Sequence, residues 1–121
     1  MAEERRRHER FLIVADVRVA ASGGRTDRLP AHDLSLGGVF LCADLDAMPH
    51  YPVGTLCDLA LFPSEEMPLH RDGGMTVHAR ARIVRRDPGN REHPQGLGLA
   101  FETLDDENMD RLRALVRRSL D

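Results

Sequence analysis

Tryptophan is absent from this chain of 121 residues, and its aromatics amount to one tyrosine and four phenylalanines. Surfaces that hold single-stranded nucleic acid interleave aromatic side chains with basic ones so that bases can stack. Such a platform is missing here. The charge balance argues the same way: 17 basic against 20 acidic residues leave a net charge of −3, so the chain as a whole is no polycation for nucleic acid or a membrane surface. Any electropositive feature must be local. No apolar run approaches the ~20 residues that cross a bilayer. Charged residues also run straight into Phe11, where a secretory signal would need an apolar stretch. The expectation is a cytoplasmic protein with no membrane insertion. Two cysteines, Cys42 and Cys57, show no metal-type spacing and are expected as reduced thiols. Six histidines, at positions 8, 32, 50, 70, 78 and 93, are scattered without short ligand spacing, so no metal site is expected.

What is present suits one domain over residues 1–121, with enough apolar residues (41%) for a core. In "FLIVADVRVA", Phe11 to Ala20, Ile13, Ala15, Val17 and Val19 alternate with Asp16 and Arg18, the period of a half-buried strand. "ASGGR" predicts a turn into a second extended segment. A break at Gly37-Gly38 and a short strand over residues 39–43 follow. "LCDLALF" alternates again. "MTVHARARIVRR" reads most clearly of all, with Val77, Ala79, Ala81 and Ile83 inward and His78, Arg80 and Arg82 outward. "GLGLAFE" is the last strand, its Gly96 and Gly98 marking close backbone packing or a bulge. The period then changes. Met109, Leu112, Leu115, Val116 and Leu120 recur at helical spacing, acids crowd the start and arginines the later turns. Thr103 with Asp106 suggests a capping box. About six antiparallel strands followed by one amphipathic helix predict an all-β core, a small barrel or sandwich, with a C-terminal helix.

Two short pieces carry chemistry. "EERRRHERF" places Arg5, Arg6, Arg7 and Arg10 close together with no apolar residue among them, and Arg6 and Arg10 stand as R-x-x-x-R. "DLSLGG" places Asp33, Ser35 and Gly38 as D-x-S-x-x-G. Guanidiniums hold phosphates bidentately or grip the O6/N7 edge of guanine. A carboxylate accepts from the N–H groups on guanine's other edge. A serine adds an adaptable hydroxyl, and glycine lets a ligand approach the backbone. Together they describe a binding site for an anionic guanine nucleotide, with no evident nucleophile, base or metal for turnover.

On these residues the chain resembles the PilZ domain, the bacterial receptor for cyclic di-GMP. Arg6 and Arg10 match its arginine arm, and Asp33, Ser35 and Gly38 match its second motif. "VHARARIVRR" and "GLGLAFETL" look like its strand pair before a C-terminal helix. The resemblance implies a six-stranded antiparallel β-barrel over residues 11–102, a flexible basic arm over 1–10 and a helix over 105–119. It implies cyclic di-GMP as ligand, no further cofactor and no catalysis. Arm arginines would contact phosphates and a guanine, and Asp33 and Ser35 would bind a guanine from the barrel. Arg5, just before the motif, is compatible with a stacked pair of ligands, though one or two per chain stays open. The chain would act as a stand-alone adaptor whose arm orders on the ligand and changes the surface offered to an unidentified downstream protein.

Other readings are weaker. A PilZ-type adaptor that binds no nucleotide is the alternative, and the intact motifs argue against it. Arg80, Arg82, Arg85 and Arg86 read as a solvated strand face from which one arginine can reach a ligand phosphate. A Ser-His-Asp triad from Ser35, His32 and Asp33 is set aside because neighbours on a strand alternate faces.

Overall fold

The computed structural model describes residues 11–12, 15–21, 23–63 and 76–120. Seven strands appear in chain order: β1 (Phe11–Leu12), β2 (Ala15–Ala21), β3 (Thr26–Leu34), β4 (Gly38–Cys42), β5 (Leu56–Pro63), β6 (Val77–Asp87) and β7 (Gly96–Thr103). One helix, α1 (Asp106–Leu120), follows. All pairings are antiparallel. They run β3-β2-β5-β6-β7-β4, and β4 pairs back onto β3 to close a six-stranded barrel. Closure removes the exposed edges that make open sheets prone to aggregation.

The stretch from Phe11 to Ala20, expected as one strand, divides into two pieces. β1 pairs Phe11 with Leu34 and Leu12 with Asp33, whereas β2 pairs Asp16 with Pro30 and Val17 with Leu29. Both lie along the same edge of β3. Alternation then fills the interior as anticipated. Val17, Val19, Leu61, Val77, Ala81, Ile83, Leu97 and Leu99 are all essentially inaccessible, while Asp16, Arg18, His78 and Arg80 stay exposed. Ile13 lies outside the described residues.

α1 packs against β6 and β1 through Leu112 and Leu115, both fully buried, with Met109 and Val116 beside them. Burial of each leucine contributes about 2–3 kcal/mol, which is why the helix keeps its place on the barrel. Its start differs from the expected capping box. Asp105, not Thr103, is the cap: Oδ1 accepts from the Asn108 backbone N–H at 2.8 Å, and Thr103 remains in β7. Those hydrogen bonds hold the Asp105 carboxyl below its ordinary range. Asn108 in turn accepts from the His78 N–H at 2.8 Å and ties the helix to β6.

Between β4 and β5 the chain makes a short 3₁₀ turn, Met48–His50, and delivers Tyr51 into the core. The Tyr51 hydroxyl donates to Asp27 Oδ2 at 2.6 Å, and Arg25 Nε donates to the same oxygen at 2.7 Å. Arg25 first, and then Tyr51, hold the Asp27 carboxyl below its usual value. A lowered carboxyl stabilises the fold above the unfolded value near 3.9 and ceases to do so as pH falls through the lower folded value. Tyr51→Phe is therefore expected to cost about 2 kcal/mol at pH 7, as for a hydrogen bond to a charged group. Asp27→Asn should melt below wild type at pH 7, with the gap closing below about pH 4. Thermal melts by circular dichroism at pH 7, 4 and 2 check this; a gap constant to pH 2 would assign the pair to packing alone.

Both cysteines are free thiols. Cys57 belongs to the core, and burial pushes its thiol up to about 11, so it stays protonated at physiological pH.

Candidate ligand-binding site

The β3–β4 corner is built by Ser35. Its backbone N–H donates to the Gly38 carbonyl at 2.9 Å, and its Oγ accepts from the N–H groups of Gly37 at 3.0 Å and Gly38 at 3.2 Å. A hydroxyl that satisfies two turn amides is the mechanism by which serine stabilises tight turns. Ser35 is 3% exposed, so its first task in the fold is to hold this corner. The Gly37 carbonyl accepts from the Phe101 N–H at 2.9 Å and pins the corner to β7. Gly38 has a structural reason to lack a side chain: a Cβ there would stand 2.2 Å from the Leu99 carbonyl oxygen. The same geometry governs Gly96, whose Cβ would stand 2.0 Å from the Leu41 oxygen. The close packing expected from "GLG" thus belongs to Gly96. At Gly98 the nearest atom would be Arg85 Cβ at an ordinary 3.4 Å.

Two irregularities decide what faces out beside that corner. β3 and β4 pair Ala31 with Leu41 and then Asp33 with Phe40, so His32 is an extra residue, a β-bulge. The period-two pattern slips there. Leu34 goes to the core, and His32 and Asp33 are both half-buried outside it. The alternation assumed for His32 and Asp33 therefore does not hold, although a triad with Ser35 still has no basis because the Ser35 Oγ serves the turn. A second slip in β6 pairs Ile83 with Leu99 and then Arg85 with Gly98. Val84 is the extra residue, and 51% of it is exposed.

These slips create a row across five strands: Leu12, Asp33, Phe40, Gly98 and Arg85 are successive cross-strand partners on β1, β3, β4, β7 and β6. Phe40 is 1% exposed yet lies outside the core cluster, because it is covered from the barrel's outer side. His93 meets its ring edge-on at 4.6 Å between centroids and His32 at 6.2 Å. The Arg85 guanidinium stands 5.6 Å over the ring, a cation–π contact, and the Arg85 side chain lies over Gly98. Of the four arginines read as a solvated face, Arg80 pairs with Asp58 and Arg82 with Glu102, while Arg85 joins this row. Cys42, on the same strand as Phe40, has its thiol raised by burial and then by the Asp33 charge.

Of the residues singled out in the sequence, Asp33, Ser35 and Gly38 therefore share one corner, each held by a different device. Arg5, Arg6 and Arg10 lie outside the described residues. The chain enters the described structure at Phe11-Leu12, whose partners are Leu34 and Asp33. Phe40 and His93 were not legible as site residues, and Arg85 only as one of four arginines of which one can reach a ligand, because neither a bulge nor a loop contact leaves a periodic signal. The weak clue was a pair of outward glycines, Gly96 and Gly98, in a strand that otherwise packs well.

A family model described as the PilZ domain matches residues 4–118. No curated protein matches the sequence. Among solved structures, the Bacillus subtilis inhibitor of motility MotI/DgrA aligns with a TM-score of 0.73 at 19% identity, over 96% of this chain and 51% of that one. The K. pneumonia MrkH–c-di-GMP complex aligns at 0.75 and 13% identity, over 95% and 52%. The PilZ domain of YcgR from Escherichia coli with c-di-GMP aligns at 0.66 and 16% identity, over 95% and 94%. At these identities the likeness speaks for the fold. The chain spans about half the length of the first two.

Proposed function

The chain belongs to the PilZ domain family, and from that premise we propose that it is a receptor for cyclic di-GMP which binds its ligand on the outer face of the barrel beside the β3–β4 corner. The observation that carries this reading is the pairing of Leu12 with Asp33. It sets Leu12, two residues after Arg10, opposite Asp33 of the second motif in the strand ladder. An arm leading into that pairing would bring its arginines within reach of Asp33. In this reading Arg6 and Arg10 hold phosphates and the O6/N7 edge of a guanine, and Asp33 accepts from N1–H and the 2-amino group. Ser35 and Gly38 shape the corner, the Ser35 hydroxyl being turned toward the Gly38 carbonyl at 3.5 Å. Arg5 would supply a further cation where a second, stacked ligand binds. Arg85, held over Phe40, is a fixed cation on the same face.

The chemistry is that of recognition without turnover. Ligand would order the arm on the barrel, a disorder-to-order switch driven by charge-assisted contacts made only in the bound state, and thereby alter the surface offered to a downstream protein. Among the described residues no helix is long and apolar enough to cross a membrane.

Calorimetric titration with cyclic di-GMP, run beside GTP and cyclic GMP, tests the proposal. Saturable heat for cyclic di-GMP alone is the expected result, and the inflection reads one or two ligands per chain. Absence of heat at millimolar ligand would overturn the receptor reading and leave a nucleotide-independent protein contact in its place.

A further inference from the structure

We propose that His32, Asp33 and His93 form a binding site for a divalent transition-metal ion of the zinc class. One ligand atom from each lies within 4.8 Å of the other two, although 60 residues of chain separate His93 from Asp33. Zinc bonds nitrogen and oxygen at ~2.0–2.2 Å, which sets ligand atoms about 3.3 Å apart in a tetrahedron. The remaining contraction is of the size that side-chain rotation supplies, and all three residues are half-buried rather than locked in the core. Two imidazoles and one carboxylate favour zinc, iron, nickel or copper over magnesium or calcium, which prefer all-oxygen sets. Three protein ligands leave at least one position open to water.

The surroundings of His93 resemble those of a metal-binding imidazole. Its Nδ1 lies 3.0 Å from the Pro94 carbonyl oxygen. A carbonyl only accepts, so that bond puts the proton on Nδ1 and leaves the lone pair on Nε2. Asp87 Oδ2 stands 3.6 Å from the same nitrogen. Ligating histidines typically have such a carbonyl or carboxylate behind them, because it fixes the tautomer and raises ligand basicity.

The backbone is held as well. Asn90 Oδ1 accepts from the Glu92 N–H at 2.7 Å and the His93 N–H at 2.9 Å, and the Asn90 N–H donates to the His93 carbonyl at 2.8 Å. Gln95 donates to the Ala43 carbonyl at 3.0 Å and receives the Ala43 N–H at 3.1 Å, which anchors the loop to the end of β4. On the other side, the bulge in β3 turns His32 outward beside Asp33. The His32 and His93 rings meet at 5.3 Å over the buried floor of Phe40. This site adjoins the proposed nucleotide site and shares Asp33 with it, but its case rests on the donor set and does not need nucleotide binding.

The test is a titration of the full reduced chain with zinc by calorimetry and with cobalt(II) by absorption, both without nucleotide. One ion per chain is expected, with a cobalt spectrum of nitrogen and oxygen ligands and no thiolate charge-transfer band. His32→Ala and His93→Ala should each weaken binding at least tenfold, and Asp33→Asn likewise, with circular dichroism showing each variant folded. No saturable binding at about 1 mM ion would overturn the proposal. So would an affinity unchanged in both histidine variants, or a thiolate band, since either moves the ion elsewhere. Failure of cyclic di-GMP to bind in the separate titration would leave this result standing.

Discussion

Arg6→Ala with Arg10→Ala is expected to weaken cyclic di-GMP binding by at least a hundredfold while the ligand-free melting temperature stays within about 2 °C. Each lost guanidinium–phosphate or guanidinium–guanine contact is a charge-assisted hydrogen bond of about 1.5–3 kcal/mol, so two remove about 3–6 kcal/mol, or ~10²–10⁴ in Kd. Stability is spared because residues 3–10 of the arm carry no apolar side chain with which to join the core. Asp33→Asn probes the same ligand from the barrel side. Asparagine keeps the shape but replaces one acceptor oxygen with an N–H₂ that points donors at donors on the guanine edge. Calorimetry and melting curves on the same preparations decide the matter. A binding loss that follows a large fall in melting temperature would mean that the arm belongs to the fold, and retained affinity would remove the arm from the site.

Gly38→Ala should produce the largest loss of stability, about 3 kcal/mol, at the upper end of the usual cost of overpacking, or about 10 °C in melting temperature for a chain of this size. The new methyl group would sit 2.2 Å from the Leu99 carbonyl oxygen, and that oxygen belongs to backbone that cannot rotate away. β4 and β7 would have to separate at the pairing of Gly38 with Ala100, next to the Ser35 turn. Gly98→Ala is the control, because its methyl meets Arg85 Cβ at 3.4 Å and needs little adjustment. Thermal melts of the two variants without ligand should differ by most of that 10 °C. Equal melting points, with binding lost only in Gly38→Ala, would instead assign this glycine to ligand approach, the role its motif suggested. A motif glycine can thus be required by the strand behind it before any ligand arrives.

Much of the barrel was legible from local pattern. Val77, Ala79, Ala81 and Ile83 alternate with polar residues through β6, and a period-two pattern with one buried face admits a single register. The helix was legible from the spacing of Met109, Leu112 and Leu115, since that spacing produces an apolar stripe only at 3.6 residues per turn. Its cap was misplaced by two residues because Thr103, Asp105 and Asp106 are all acceptable capping chemistry, and only the end of β7 decides which of them is free to turn.

The site divides along the same line. By itself the sequence determined the strand periods, the helix, the two motifs and hence the family, because each rests on residues near one another in the chain. Tertiary structure alone decided that Asp33, Phe40, Gly98 and Arg85 form one outward row and that His93 meets His32 and Asp33. Those neighbours depend on two single-residue bulges and on barrel closure, and a bulge has no periodic signature: it reveals itself only when the partner strand is beside it.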